Sequence, residues 1–155
     1  MLILAFFLTA CTSQKIIKTI PRLENTTWQW ISTGGGITGT TLPADKELFI
    51  SFEPNNKLSI TIDGETIISK KRYDLIKVHE TLLGPFYKGD SLEIHFDESS
   101  ISIIKKNMTS HIVLNGLPLF EGDTLLSIID NKYDGYGSTF RKVKLTTKQN
   151  NHDSQ

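Results

Sequence analysis

What most limits the folds open to this chain is a period-two hydrophobic alternation, repeated in short segments with turn residues between them. Leu48, Ile50 and Phe52 share one face of 47–53, and Leu58, Ile60 and Ile62 share one face of 57–63, with Ser59, Thr61 and Asp63 opposite. Successive side chains of a strand point to opposite faces, so this pattern makes half-buried strands. Pro54-Asn55-Asn56 joins the two segments as a hairpin, and Asp63-Gly64 turns the chain again. Asn, Asp and Gly suit such turns because they tolerate left-handed backbone. Segments 65–71 and 72–78 extend the meander, with Tyr73 and Leu75 on one face. Leu92, Ile94 and Phe96 alternate in 92–97, and Ile101 and Ile103 in 100–105. Further strands are predicted at 111–115, 124–130 and 136–145. Only 79–89 reads as a turn of helix. The tally of roughly eight to ten short strands points to an all-β barrel or sandwich.

The first strand is predicted at 26–33, Thr-Thr-Trp-Gln-Trp-Ile-Ser-Thr, which holds both tryptophans. Alternation puts Trp28, Trp30 and Ser32 on one face. Gly34-Gly35-Gly36 follows, and 34–43 reads as a long loop folded over one end, since loops of this length are often lids. No Gly-x-Gly-x-x-Gly or Gly-Lys-Ser/Thr spacing opens a helix there, which argues against phosphate cradling. Gly122-Asp123-Thr124-Leu125 echoes Gly89-Asp90-Ser91-Leu92, and both are read as strand-entry turns.

At 155 residues the chain is long enough for one domain with its own core, without disulfides or metals. Its 17 basic and 17 acidic residues cancel, so neither a basic stripe for nucleic acid nor an acidic tail stands out. Catalytic constellations are equally sparse. His79, His95, His111 and His152 lack the helical spacing of a zinc pair. His95 and Asp97 share the polar face of a strand with Glu93, and Glu121, Asp123, Asp130 and Asp134 flank turns. No Gly-x-Ser-x-Gly elbow occurs. The expectation is a non-enzymatic protein without a cofactor or metal.

The lone cysteine, Cys11, ends an apolar run through Leu8-Thr9-Ala10. This resembles the lipobox of bacterial lipoproteins, with 1–10 as signal peptide, Cys11 as the lipidated residue and 11–24 as a tether. The alternative is a buried N-terminal strand with an inert cysteine. The run is far shorter than the roughly 20 residues that span a bilayer. Lipid on Cys11 would anchor the domain in the cell envelope. Thr12-Ser13-Gln14-Lys15 lacks the acidic residues that some lipoproteins of the type this chain resembles use for surface export, so the resemblance implies a domain that faces the periplasm. The tail 146–155 is polar.

Leu23-Glu24-Asn25-Thr26-Thr27-Trp28, Gly34-Gly35, Gly122-Asp123-Thr124-Leu125 and the run from Asp134 to Arg141 together resemble lipocalin-like (calycin) lipoproteins of the Bacteroidetes type. The resemblance implies a small antiparallel up-and-down β-barrel over 25–145. In such proteins a first-strand Trp lies under a last-strand Arg at the closed end, and Trp28 and Arg141 match those positions, with Thr26 where the relatives carry Gly. A cation over an indole contributes about 0.5–2 kcal/mol. Two functions follow. In one, the barrel binds a small hydrophobic ligand, with Trp30, Phe52 and Phe96 lining the cavity. In the other it is filled and serves as an envelope interaction module, an inhibitor or accessory subunit. Leu82, Leu83, Phe86 and Tyr87 form the mouth loop or, equally, a hydrophobic plug.

Overall fold

The computed structural model describes residues 19–35, 39–78, 92–131 and 135–144. Cys11, the leader, most of the tether, the 82–87 mouth loop, His79 and the polar tail lie outside the described residues. The strands are β1 (Thr26–Gly35), β2 (Thr40–Pro43), β3 (Leu48–Glu53), β4 (Lys57–Ile62) and β5 (Glu65–Arg72). After them come β6 (Asp74–Lys77), β7 (Leu92–His95), helix α1 (Glu98–Asn107), β8 (Leu117–Glu121), β9 (Leu125–Ile129) and β10 (Gly137–Val143).

The turn chemistry works as read. Asn55 and Asn56 take φ of 63° and 54°, and Asp63 and Gly64 take 50° and 84°. Glu53 then pairs with Lys57, and Ile62 with Glu65. These hairpins set the register that turns Leu48, Ile50, Phe52, Leu58, Ile60 and Ile62 inward. The main sheet is antiparallel with the order β5-β4-β3-β1-β10-β9-β8. The first strand thus pairs with the last, Trp28 opposite Lys142 and Trp30 opposite Phe140.

The sheet does not close into a barrel. Among the described residues its end strands, β5 and β8, are not paired with each other, and β6 and β7 form a separate two-stranded sheet. Lys70, with φ of 48°, lies at an irregularity in the β4–β5 register, the ladder runs on to Arg72, and β6 pairs with β7 instead. β7 meets the chain before β8 through one bridge, Ile94 to Gly116. Pro118 sits in β8 at the sheet's end, where a missing donor costs least.

Three further expectations are corrected. The 100–105 strand is part of α1. Asp97 caps the helix, accepting from the Ser100 amide at 3.0 Å and the Ser100 hydroxyl at 2.9 Å, while Glu98 and the pair Lys105, Lys106 sit at the ends that suit their charge. Helical spacing buries Ser100 and Ile104 and leaves Ile103 exposed. The 34–43 loop is largely a hairpin, since Gly34 pairs with Thr41 and Gly35 with Thr40. Ser32 does not share the inward face of Trp28 and Trp30, because the register of β1 shifts between Trp30 and Ser32 and Thr33 is buried instead. This bulge adds one residue and flips the alternation.

Residues 109–116 form no strand but carry Val113 and Leu114 into the core. The Val113 amide donates to Ser138 Oγ at 2.7 Å, and that hydroxyl shares a 2.6 Å hydrogen bond with Thr33 Oγ1. The chain also joins the fold earlier than a free tether would, with Ile20 and Leu23 both buried. A single hydrophobic cluster runs from Ile20 through both tryptophans, Ile104 and Leu114 to Phe140. Tyr73 belongs to it, edge-on to Phe52 with ring centroids 5.5 Å apart, yet its buried hydroxyl has no hydrogen-bond partner.

Candidate functional site

A surface of mixed chemistry follows α1. A groove of about 570 Å³ is lined by Phe96 and Asn115 on one side and by Glu98, Ile101, Ser102, Lys105 and Lys106 of α1 on the other. The helix builds its wall because positions three and four apart share a face, which places Glu98, Ile101, Ser102 and Lys105 in line. The other wall is set by Asn115, whose Oδ1 accepts from the Phe96 amide at 2.8 Å. The Ile94–Gly116 bridge beside it is doubly bonded, at 2.8 and 3.0 Å. Gly116 has φ of 155°, and a Cβ there would overlap the Ile129 carbonyl, so only glycine lets the two backbones approach this closely.

Electrostatics grade along the groove. At its N-terminal end Asp97 is held well below the usual carboxylate range, first by the Ser99 hydroxyl and then by the Ser100 amide, and it pairs with Lys71 at 3.4 Å. At the far end stand Lys105 and Lys106, with the half-buried Ile101 and the buried Phe96 between. No nucleophile–base pair faces the groove among these residues. Among the described residues no group of three or more His, Cys, Asp or Glu is placed to hold a metal ion. The arrangement suits non-covalent contact with a surface that is apolar in the middle and charged at both ends.

A second groove, about 420 Å³, lies at the end of the sheet where the chain comes in. Asn25, Thr26, Thr27, Asp123, Thr124, Lys142, Val143 and Lys144 line it. Arg22 closes one side, bonding to the Gly122 carbonyl and pairing with Asp123 at 3.0 Å, and its guanidinium lies 4.3 Å from the centre of the Phe120 ring.

The residues singled out from sequence fall in different places. The cation over Trp28 is Lys142, with Nζ 5.6 Å from the ring centre, not Arg141. Arg141 lies opposite Gln29 and is exposed, because alternation sends adjacent residues to opposite faces. The Trp28 indole N–H is satisfied by Thr26 Oγ1 at 2.7 Å, so the threonine standing where a glycine was expected has a partner of its own. Trp30 and Phe52 are 2% and 1% exposed within the core, and Trp30 Nε1 donates to the Ser32 carbonyl at 2.9 Å. Phe96, also buried, is the one member of the expected cavity lining that borders the α1 groove. His95 Nε2 meets Glu93 Oε2 at 2.8 Å, while Asp97, expected beside them, caps the helix.

Sequence reading missed Glu98, Ser102, Lys105, Lys106 and Asn115 as a set. The available signal was Asp97 followed three residues later by Ser100, an acid in the next position and two lysines closing a helical turn. No protein-family model matches the chain, and neither a search of curated proteins nor one of solved structures gives a match.

Proposed function

We propose that this chain is a lipid-anchored module of the bacterial cell envelope, of lipocalin-like build, that acts by binding a partner on its outer surface. It is held by lipid on Cys11 and faces the periplasm, and it carries out no catalysis. The observation that carries this reading is the filled interior. Trp28, Trp30, Tyr73, Phe52 and Phe140 are each no more than 2% exposed, in one continuous cluster. Side chains of a small eight-stranded barrel can just fill its interior, and here α1 and residues 109–116 add Ile104, Val113 and Leu114. That favours the interaction module over a binder of small hydrophobic ligands. The α1 groove, with Phe96 and Ile101 between opposite charges, is the surface offered to the partner.

The test pairs two measurements on protein from its producing host. Native mass spectrometry should find the apo mass. A photo-crosslinking residue at Ile101 should give a discrete adduct in the envelope that is lost on Lys105→Glu plus Lys106→Glu, whereas one at Thr61 should not. A stoichiometric co-purifying small molecule, released by Trp30→Ala, would overturn the reading in favour of a hollow binder.

A further inference from the structure

The end of the sheet at which the chain arrives has a charge pattern that the neutral total conceals. Thr26 pairs with Phe52, Thr27 with Val143, Glu53 with Lys57, and Lys57 with Arg72. These registers bring β1's start, the 54–56 turn, the end of β5 and the end of β10 to one edge. The 122–124 turn joins them, since the Lys142 amide donates to the Thr124 carbonyl at 2.8 Å. Here stand Arg22, Lys57, Arg72, Lys142 and Lys144, all exposed. The carboxylates at this edge are Glu24, Glu53, Glu121 and Asp123, with Asp74 next to Tyr73, whose amide is bonded to Asn56 of the 54–56 turn, and Asp97 paired with Lys71 at 3.4 Å.

Those acids leave the two lysines of the groove unneutralised. Asp123, the carboxylate in the groove lining, is engaged by Arg22, and Glu53 accepts from Ser59 at 2.8 Å. Among the described residues neither Lys142 nor Lys144 forms an ion pair. The opposite end carries Asp45, Glu47, Asp63 and Glu65 around the 63–64 turn, with Lys46 bridged to Asp63 at 3.2 Å. Lys105 and Lys106 of α1 approach that end as well, because Thr109 bonds to Asp45.

Geometry ties the basic end to the anchor. Leu23 and Ile20 are buried, and the turn through them is closed by the Leu23 amide donating to the Ile20 carbonyl at 2.9 Å. Thr19 is eight positions after Cys11. At roughly 3.3–3.6 Å per residue, that segment reaches at most about 29 Å.

From this we infer that the Arg22–Lys142–Lys144 end is a membrane-facing surface that seats anionic lipid headgroups in the groove between Lys142, Lys144 and Thr27, and so orients the domain with its 63–64 turn pointing away from the bilayer. The inference rests on the Cys11 anchor proposed above. The anchor supplies residence at the membrane, and the lysines supply orientation through their attraction to an anionic leaflet, which salt screens.

The experiment uses the mature lipidated protein, whose Cys11 thiol is blocked, with a single new cysteine for a dye. Pro54→Cys reports the basic end and Thr66→Cys the other, and neither alters the charge. Each is mixed with phosphatidylcholine vesicles, with or without phosphatidylglycerol, bearing a headgroup acceptor. The expected result is flotation with both vesicle types, with stronger energy transfer from position 54 than from 66 only when phosphatidylglycerol is present and salt is low. Lys142→Glu with Lys144→Glu should erase that difference without changing flotation. Lys144→Glu alone should reduce it, and Lys142→Arg with Lys144→Arg should preserve it, which separates charge loss from misfolding. Flotation with equal transfer from both labels overturns the surface and leaves the anchor standing. Flotation only with phosphatidylglycerol removes the anchor and keeps the surface, and no flotation removes both.

Discussion

Tyr73 offers the sharpest test of how this core is built. Its ring is packed edge-on against Phe52 and its backbone amide donates to the Asn56 carbonyl at 2.9 Å, but its hydroxyl is buried without a partner. A buried polar group left unpaired costs about 1–3 kcal/mol. Tyr73→Phe removes that group and keeps the ring, so it should stabilise the fold by about 1 kcal/mol at neutral pH. The same burial, with the nearby Glu24 carboxylate adding to it, raises the hydroxyl's pKa from 10.0 to about 12. Between those values the unfolded chain has lost the proton and the folded one retains it. Stability therefore falls as pH rises through that window and is unaffected below it. At about 1.4 kcal/mol per unit, the wild type loses roughly 2–3 kcal/mol across the window and Tyr73→Phe loses none of that share. Urea unfolding of both proteins at pH 7, 9 and 11 reads the difference, since other titrating groups cancel between them. The gap should be equal at pH 7 and 9 and should widen by roughly 1.4 kcal/mol at pH 11. A Phe variant less stable than wild type at pH 7, or a gap that stays constant to pH 11, would refute an unpartnered buried hydroxyl.

Four other outcomes follow from the same geometry. Ser138→Ala deprives both the Val113 amide and Thr33 of their partner and should cost about 1–3 kcal/mol, with faster hydrogen exchange at Val113; an unchanged exchange rate would mean the latch is dispensable. Gly116→Ala, which drives a Cβ into the Ile129 carbonyl, should lower the melting temperature by the equivalent of about 1–3 kcal/mol, more than Ala at Gly122, where the added Cβ meets open space and only the left-handed backbone, with φ of 57°, opposes it. Lys142→Ala should shift Trp28 emission while Arg141→Ala leaves both emission and stability within about 0.5 kcal/mol of wild type, and the reverse pattern would restore Arg141 as the indole's partner. Asp97→Ala should remove the α1 cap at a cost of about 0.5–2 kcal/mol. Because the folded-state pKa of Asp97 is depressed, this advantage is present above the ordinary carboxylate range and shrinks as pH falls below it, so the two proteins should converge in acid denaturation.

The parts of this fold that could be read in the sequence are those fixed by neighbours in the chain. The 54–56 and 63–64 turns and the inward sets of β3 and β4 depend only on local backbone preference and period-two alternation. What escaped was decided at a distance or by a competing period. Ser100 to Lys105 contains Ile101 and Ile103 in alternation, but Asp97 nucleates a helix in which Ile104 is the buried isoleucine; cap chemistry outweighed a two-residue alternation. The bulge after Trp30 leaves no mark in the sequence, since it answers to the pairing of β1 with β10. β8 was overlooked because Pro118 breaks the usual strand signature, a penalty that vanishes at the end of a sheet. The α1 groove was illegible for a related reason: Asn115 and Lys105 meet only once the helix exists.

The pairing of β1 with β10 also sets a timetable. β1 is made early and holds both tryptophans, yet its ladder to β10 joins residues more than a hundred positions apart, Thr27 to Val143 among them. Until β10 has left the ribosome, β1 has only β3 and β2 beside it, and the Thr33–Ser138–Val113 latch has no middle member. Contacts of such long range form late and slowly. A chain wired this way can form the local β3-β4-β5 hairpins early, but it completes its central sheet only once its last strand has been made.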